Sequence, residues 1–178
     1  EPDPHLGKGV ALEGLRKYED ALHEYDRSNE CSLALYGVPD PVVFNNRGNV
    51  YGLGMGDWPR AIESFHRAAL LSREYVFARA NEALATYQLG KRAEGKRMME
   101  TLLRKYPDFP DLRAALVAVY WSEDGRQGDA ETNWLTVLEQ DSRYNDIKWV
   151  RSIRRWPPML VTELNNFLSL REHGSTLY

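Results

Sequence analysis

One register governs this chain. Gly48, Ala83, Ala118 and Ile153 stand 35 residues apart from one to the next. The stretch from Asn46 to Leu71 shows what recurs: two short helices joined by a glycine-rich turn. In its first helix, Gly48 and Tyr51 share a face. In its second, Ala61, Phe65, Ala68 and Ala69 fall at the i, i+4, i+7, i+8 spacing of one helix stripe. Small residues beside one aromatic let two helices approach closely. A pair this short cannot bury its own apolar face, so it must stack on copies of itself.

The copies are in register. Ala61 has counterparts at Ala21, Gly95 and Ala130, at spacings of 40, 34 and 35. Four residues after each comes a large side chain: Tyr25, Phe65, Met99, Trp134. Seven after each come Ser28, Ala68, Leu102 and Val137, and the Gly48 slot is filled elsewhere by Gly9, Ala83 and Ala118. A period of 34–35 with this pattern resembles the tetratricopeptide repeat (TPR) family over residues 5–142. The resemblance implies an all-α fold, a right-handed superhelix (α-solenoid) of helical hairpins lined on its concave side by the first helix of each pair.

Local signals place the pairs. Residues 1–4 read as a loose lead-in, followed by helices at 5–14 and 18–36; the second is long, and its length explains the 40-residue spacing. Gly37 and Pro39 stop it, and Asp40-Pro41 restarts the chain as N-cap and first helical residue. The next pairs fall at 41–54 and 58–72, 74–89 and 92–105, and 110–123 and 127–140, giving repeats of 5–36, 41–72, 74–107 and 110–142. The turn of the second pair holds one residue more than its neighbours: Gly48 to Ala61 is 13, whereas Ala83 to Gly95 and Ala118 to Ala130 are 12. Residues 143–178 read as a degenerate fifth pair that caps the stack. Its first helix, at 145–155, carries a bulky Ile153 where the others are small and is cut short by Trp156-Pro157-Pro158. Its second, at 158–171, sets Leu160, Leu164, Phe167 and Leu168 on one face.

Composition fits a soluble globular protein: 178 residues, 43% apolar, with no apolar run near the ~18 residues of a membrane span. The chain begins without an initiator Met or a signal-like segment and reads as a processed form or an excised piece. Cys31 is the single cysteine, so neither an internal disulfide nor a thiolate cluster can form, which fits a reducing intracellular compartment. Cys31 is expected to be a small apolar filler on its helix. The net charge of −3 hides a gradient: residues 1–41 carry nine acids and four bases, and residues 143–155 five bases and one acid.

No catalytic or cofactor signature emerges. Gly52, Gly54 and Gly56 spell GxGxG, but a phosphate loop needs a preceding strand, and here the run ends a helix and opens a turn. Gly7-Lys8-Gly9 lacks the rest of a P-loop. His5, His23, His66 and His173 stand in no metal-ligand spacing, and His23 and His66 read as solvated. Glu19, Asp20 and Glu63 read as ordinary exposed helix carboxylates. The chain is therefore expected to be non-enzymatic, with no metal and no cofactor.

The functional signal is a pair of asparagines. Asn46 and Asn81 are 35 apart, at equivalent slots of successive first helices. An amide donates to a C=O and accepts from an N–H, so it can hold an extended main chain without reading its side chains. The TPR resemblance implies that use; solvation of the groove, or bonds between helices, are the alternatives. Asn45 and Asn49 add polar reach. In the TPR type that clamps a C-terminal carboxylate, asparagines are joined by cationic residues. Asn49 and Asn81 fit its asparagine slots, but its basic slots hold Asn45, Leu112 and Leu116, which argues against that ligand. Phe77, Leu84, Tyr87, Leu112 and Val119 are the expected side-chain pockets, and the apolar far end is either covered by the C-terminal helix or open to a hydrophobic partner segment.

Lys148, Arg151, Arg154 and Arg155, with Trp149 and Trp156 interleaved, form an expected basic surface. It invites an adaptor reading, on RNA or on anionic headgroups, against the plainer one of a solvated helix face with its tryptophans in the cap. A pI of 5.9 is unlike an electrostatic nucleic-acid binder. The recurrent specificity pairs of base-by-base RNA-reading repeats are also missing. The reading is thus a protein-binding scaffold, an assembly factor or adaptor. The tail KWVRSIRRWPPMLVTELNNFLSL resembles the ends of plastid TPR proteins that help assemble photosynthetic membrane complexes, which implies a stromal or thylakoid-associated role.

Overall fold

The structure is a computed structural model describing residues 3–122 and 125–174, the side chains of 172–174 aside. Among the described residues every regular element is helical. The chain divides into two compact units, Glu1–Ala85 and Thr86–Tyr178.

The first unit holds α1 (Pro4–Gly14), α2 (Tyr18–Tyr36), α3 (Pro41–Asn49), a π-helical turn (Val50–Gly54), α4 (Trp58–Leu71) and most of α5 (Val76–Gln88). The starts of α1, α3 and α4 are each capped by an aspartate, with a proline in the first turn whose missing N–H costs nothing there. Asp40 accepts from the Val42 N–H, and Asp57 from that of Arg60. Asp3 does the same for α1, accepting from His5, so the expected lead-in is in fact the cap and first residue of a helix; Glu1 and Pro2 lie outside the described residues. Gly37, at φ 72°, ends α2 in the left-handed conformation that a side chain disfavours.

The small-against-large key closes both hairpins. A Cβ placed on Gly9 would lie 2.5 Å from the Tyr25 ring, and one on Gly48 2.5 Å from the Phe65 ring. Tyr25, Ala21, Ala61 and Ala68 have no exposed surface, and Phe65 is also buried. The surplus residue of the second pair is absorbed in the π-helical turn, which packs Gly52 on Trp58 and Ala61 and Gly54 on Tyr18. The last turns of α2 run past this packing: Leu33, Leu35 and Tyr36 are exposed, and so is Cys31, which is therefore not the apolar filler expected.

Polar groups tie α1 to α2. Glu24, buried, lies 2.8 Å from His5 Nδ1 and 2.7 Å from Lys8 Nζ. Its hydrogen bonds to His5 and Lys8 hold its carboxyl well below the usual range, down to about 2. The Tyr25 hydroxyl donates to Glu13, and Ser28 to Asp3.

The second unit holds the end of α5, α6 (Arg92–Lys105), α7 (Pro110–Ser122), α8 (Gln127–Gln140), a 3-10 turn (Ser142–Asn145), α9 (Ile147–Ser152) and α10 (Pro158–Gly174). Residues 123–124, where the first helix of the fourth pair was expected to end, lie outside the described residues. α7 packs against α6, α8 and α10 and is buried along nearly its whole length. Phe167 of α10 meets Trp121 and Trp134 edge-on, at centroid distances of 5.2 and 5.4 Å. The expected fifth first helix over 145–155 shrinks to the six residues of α9, and Ile153 sits in an exposed turn beyond it. Two prolines after Trp156 and a positive φ at Arg155 turn the chain into α10.

Asp111 fastens this tail. It is 1% exposed and accepts at one oxygen, Oδ1, from the Tyr144 hydroxyl (2.7 Å), Arg154 Nε (2.9 Å) and Trp156 Nε1 (2.9 Å). Its charge and burial push the Tyr144 hydroxyl well above its usual range, burial being the larger cause.

Four outcomes follow for stability. Gly48→Ala gains about 1 kcal/mol of helix propensity but overpacks the Phe65 ring, a cost of roughly 1–3 kcal/mol, so it lowers the thermal midpoint; adding Phe65→Leu recovers part of the loss. Gly7→Ala, with nothing within 4 Å of the new methyl, raises the midpoint instead. A depressed Glu24 stabilises the fold fully above the unfolded value of 4.5, and that contribution fades as pH falls toward about 2. Melts from pH 7 to pH 2 should therefore show Glu24→Gln less stable than the parent at neutrality and level with it at the acid end. Asp111→Asn leaves Arg154 buried without its counter-charge and costs about 3 kcal/mol in a denaturant titration followed by tryptophan fluorescence.

Candidate functional site

α3 and α5 bring the asparagines together within the first unit. Both carry a period-3.6 face, and Asn45 and Asn49, four apart, share one side of α3. Asn81 Nδ2 donates to Asn45 Oδ1 across the two helices at 2.9 Å. Asn45 is buried, and Asn46, Asn49 and Asn81 are half-buried. The bond joins Asn81 to Asn45, not to Asn46, its equivalent by register. One side-chain bond leaves Asn81 a second N–H and its carbonyl oxygen, so the amide keeps both polarities. Phe77, one turn before Asn81 on α5, is 42% exposed, and Val42, one turn before Asn46, is 38% exposed.

The remaining expected pocket residues are not surface. Leu84, Tyr87, Leu112 and Val119 are 0–1% exposed, as is Leu116 beside them. In the second unit, α10 lies over α7, so the apolar far end is covered by the C-terminal helix, the first of the two alternatives open at the sequence level. Tyr87 turns its hydroxyl to Glu163 of α10, at 3.1 Å from Oε2, and Arg92 lies over its ring. Covering α7 in this way removes apolar area from water, at about 25 cal/mol per Å2. The sequence could place these residues on the inward face of first helices but could not show that the chain's own tail lies there.

The basic segment separates in the same way. Lys148 and Arg151 are exposed on α9, and Arg155 is half-buried. Arg154 is an internal cation: its side chain is 20% exposed, it pairs with Asp111, and that pairing raises its pKa although burial works against the charge. Arg143 is held by Asp141, whose carboxyl the pairing lowers. Trp156 is buried, and Trp149 stands edge-on to Tyr144 at 5.2 Å. Trp156 therefore belongs to the cap packing, and half-buried Trp149 carries the Arg143 guanidinium over its ring at 4.7 Å.

His5, His23 and His66 form no ligand set. His5 pairs with Glu24 and His66 with Glu82, His23 is exposed, and the side chain of His173 lies outside the described residues. Among the described residues no group of three His, Cys, Asp or Glu side chains could hold a metal ion. No helix among them is long and apolar enough to cross a membrane.

No family model matches the chain, and no curated protein matches it at a significant level. A solved structure does. The chain is similar to the crystal structure of MamA, a TPR-like protein, with a TM-score of 0.58 over 96% of this chain and 97% of that one, at 14% sequence identity. Likeness at that identity speaks for the fold alone, and it shows a TPR-like helical-repeat fold, an all-α solenoid.

Proposed function

We propose that this chain is a non-catalytic protein-binding scaffold that holds an extended partner segment on the asparagine face of α3 and α5. The observation that carries the reading is the Asn81–Asn45 bond. It joins two helices through a single amide–amide contact and leaves Asn81, Asn46 and Asn49 half-exposed around it. Asn45 is then a positioning residue, and the other three make the contacts. A main chain laid there meets alternating donors and acceptors, as a β-strand would. Phe77 and Val42 supply the apolar contact that Leu84, Tyr87, Leu112 and Val119 cannot, since those are spent on the core. The resemblance of the tail to plastid TPR proteins makes subunits of photosynthetic membrane complexes the first partners to test, with this chain acting as an assembly factor.

Asn46→Ala with Asn49→Ala is the suitable test, because neither amide makes a bond that the fold uses, whereas Asn81→Ala also strips Asn45 of its partner. Native extract passed over the immobilised chain should yield a partner whose affinity for the double variant falls roughly ten- to hundredfold, as two or three lost hydrogen bonds imply. The helical melt should stay where it was. Unchanged capture by the double variant would remove the asparagine face from the account.

A further inference from the structure

The other side of α3 holds a second feature. At about 100° per residue, Phe44 and Arg47 lie opposite the asparagine face. The π-helical turn adds Tyr51 beside them. Together with Arg60, Glu63 and Arg67 of α4 they line an open recess of about 220 Å3 within the first unit. Phe44 is buried, and so is Ser64, which also lines the space.

Three guanidinium groups converge there, each stacked on an aromatic ring. Arg67 lies 4.7 Å from the Phe44 centroid, Arg60 5.6 Å from that of Tyr51, and Arg47 5.8 and 6.0 Å from the two. Stacking fixes the plane of a guanidinium and leaves its edge N–H groups to bond elsewhere. Arg47 is held at one end by Asp26, and its Nη2 donates to the Tyr51 hydroxyl at 3.3 Å. Its Nε is buried and has no hydrogen-bond partner. A buried donor with no acceptor is costly, so it marks a place for one. Tyr51, accepting from Arg47, keeps its own proton to give. Among the described residues no carboxylate pairs with Arg67, and the Arg60–Asp57 pair, 3.4 Å apart and well exposed, is weak enough to be displaced.

We propose that this pocket takes a phosphate monoester presented on a partner polypeptide, as a phosphorylated side chain. One guanidinium satisfies a planar carboxylate, whereas three cations around one recess suit a dianion with three terminal oxygens. Asp26, Asp57 and Glu63 at and around the pocket repel an extended anionic surface, which disfavours a bilayer or a polynucleotide. A single phosphate sets only two charges against them, and Arg67 and the open edge of Arg47 remain to hold it. The π-helical turn is part of the site: it brings Tyr51 within reach of both Arg47 and Arg60, and such turns occur often where a helix carries a function.

The test is titration of the whole chain with N-acetyl-O-phosphoserine N-methylamide, followed by calorimetry and by NMR of the arginine Nε resonances. Saturable binding that shifts Arg47 and Arg67 supports the site. Arg67→Gln and Arg60→Gln, both at exposed positions, should each weaken it roughly tenfold without moving the melt, as losing a charge-assisted bond implies. The N-acetylserine and N-acetylglutamate amides should bind far more weakly. Asn46→Ala with Asn49→Ala should leave phosphate binding intact, which separates this site from the asparagine face. No saturable binding at millimolar concentration, or binding indifferent to both arginine variants, overturns the proposal. So does inorganic phosphate binding as tightly as the phosphoserine probe. Arginine-dependent recruitment to phosphatidic acid vesicles without binding of the probe overturns it as well, assigning the pocket to a lipid headgroup.

Discussion

The fold depends on how closely two helices of a hairpin can approach. At Gly9 and Gly48 the backbone of the first helix lies against the flat ring of Tyr25 or Phe65, and no room is left even for a methyl group. Contact this tight is worth its cost because it brings the backbone of one helix and the alanines of the other into continuous packing. Glycine inside a helix sacrifices about 1 kcal/mol of propensity, and at Gly9 and Gly48 the ring leaves no alternative to that loss. Ala118 and Trp134 occupy the corresponding positions of the fourth pair and are both buried, so the same size logic runs into the second unit.

Polar interactions then decide where each end of the chain lies. Apolar packing alone is tolerant of small slides, whereas a buried carboxylate accepts only donors that reach it. Asp111 gathers Tyr144, Arg154 and Trp156 from the segment after α8 and so fixes the direction from which α10 returns over α7. At the other end Glu24 takes His5 and Lys8 from α1. In both places charge is used for position, and around Asp111 the surrounding helices also exclude water from it.

The two sides of α3 offer different chemistry. One presents neutral amides that suit a main chain. The other presents stacked guanidinium groups that suit a concentrated negative charge. A partner chain with a phosphorylated residue could engage both, and a scaffold that needs the phosphate at one face and the backbone at the other would read the modification state of its client.

Much of the fold was legible without coordinates. The 35-residue register, the small and large slots, the Asp-Pro restart at 40–41 and even the surplus residue before Ala61 are local or periodic properties, written in side-chain size and turn chemistry. What periodicity cannot carry is which surface a distant segment covers. Leu112 and Val119 were placed correctly on a first helix, yet whether they faced solvent depended on everything packed around α7, including α10 some forty residues further on. Arg154 was read as surface because its charge says so, and Asp111, the one acid of a mostly apolar helix, gave no sign of the donors it would collect. Asn45 and Asn81 were each visible, but their bond joins residues out of register by one, a choice made by the crossing of α3 and α5. The arginine-lined recess arose likewise, from a helical turn one residue too wide. Sequence thus determined the repeating element and its keys, and tertiary structure alone decided which polar groups meet and which apolar faces are closed, because those depend on contacts between parts of the chain that no local pattern links.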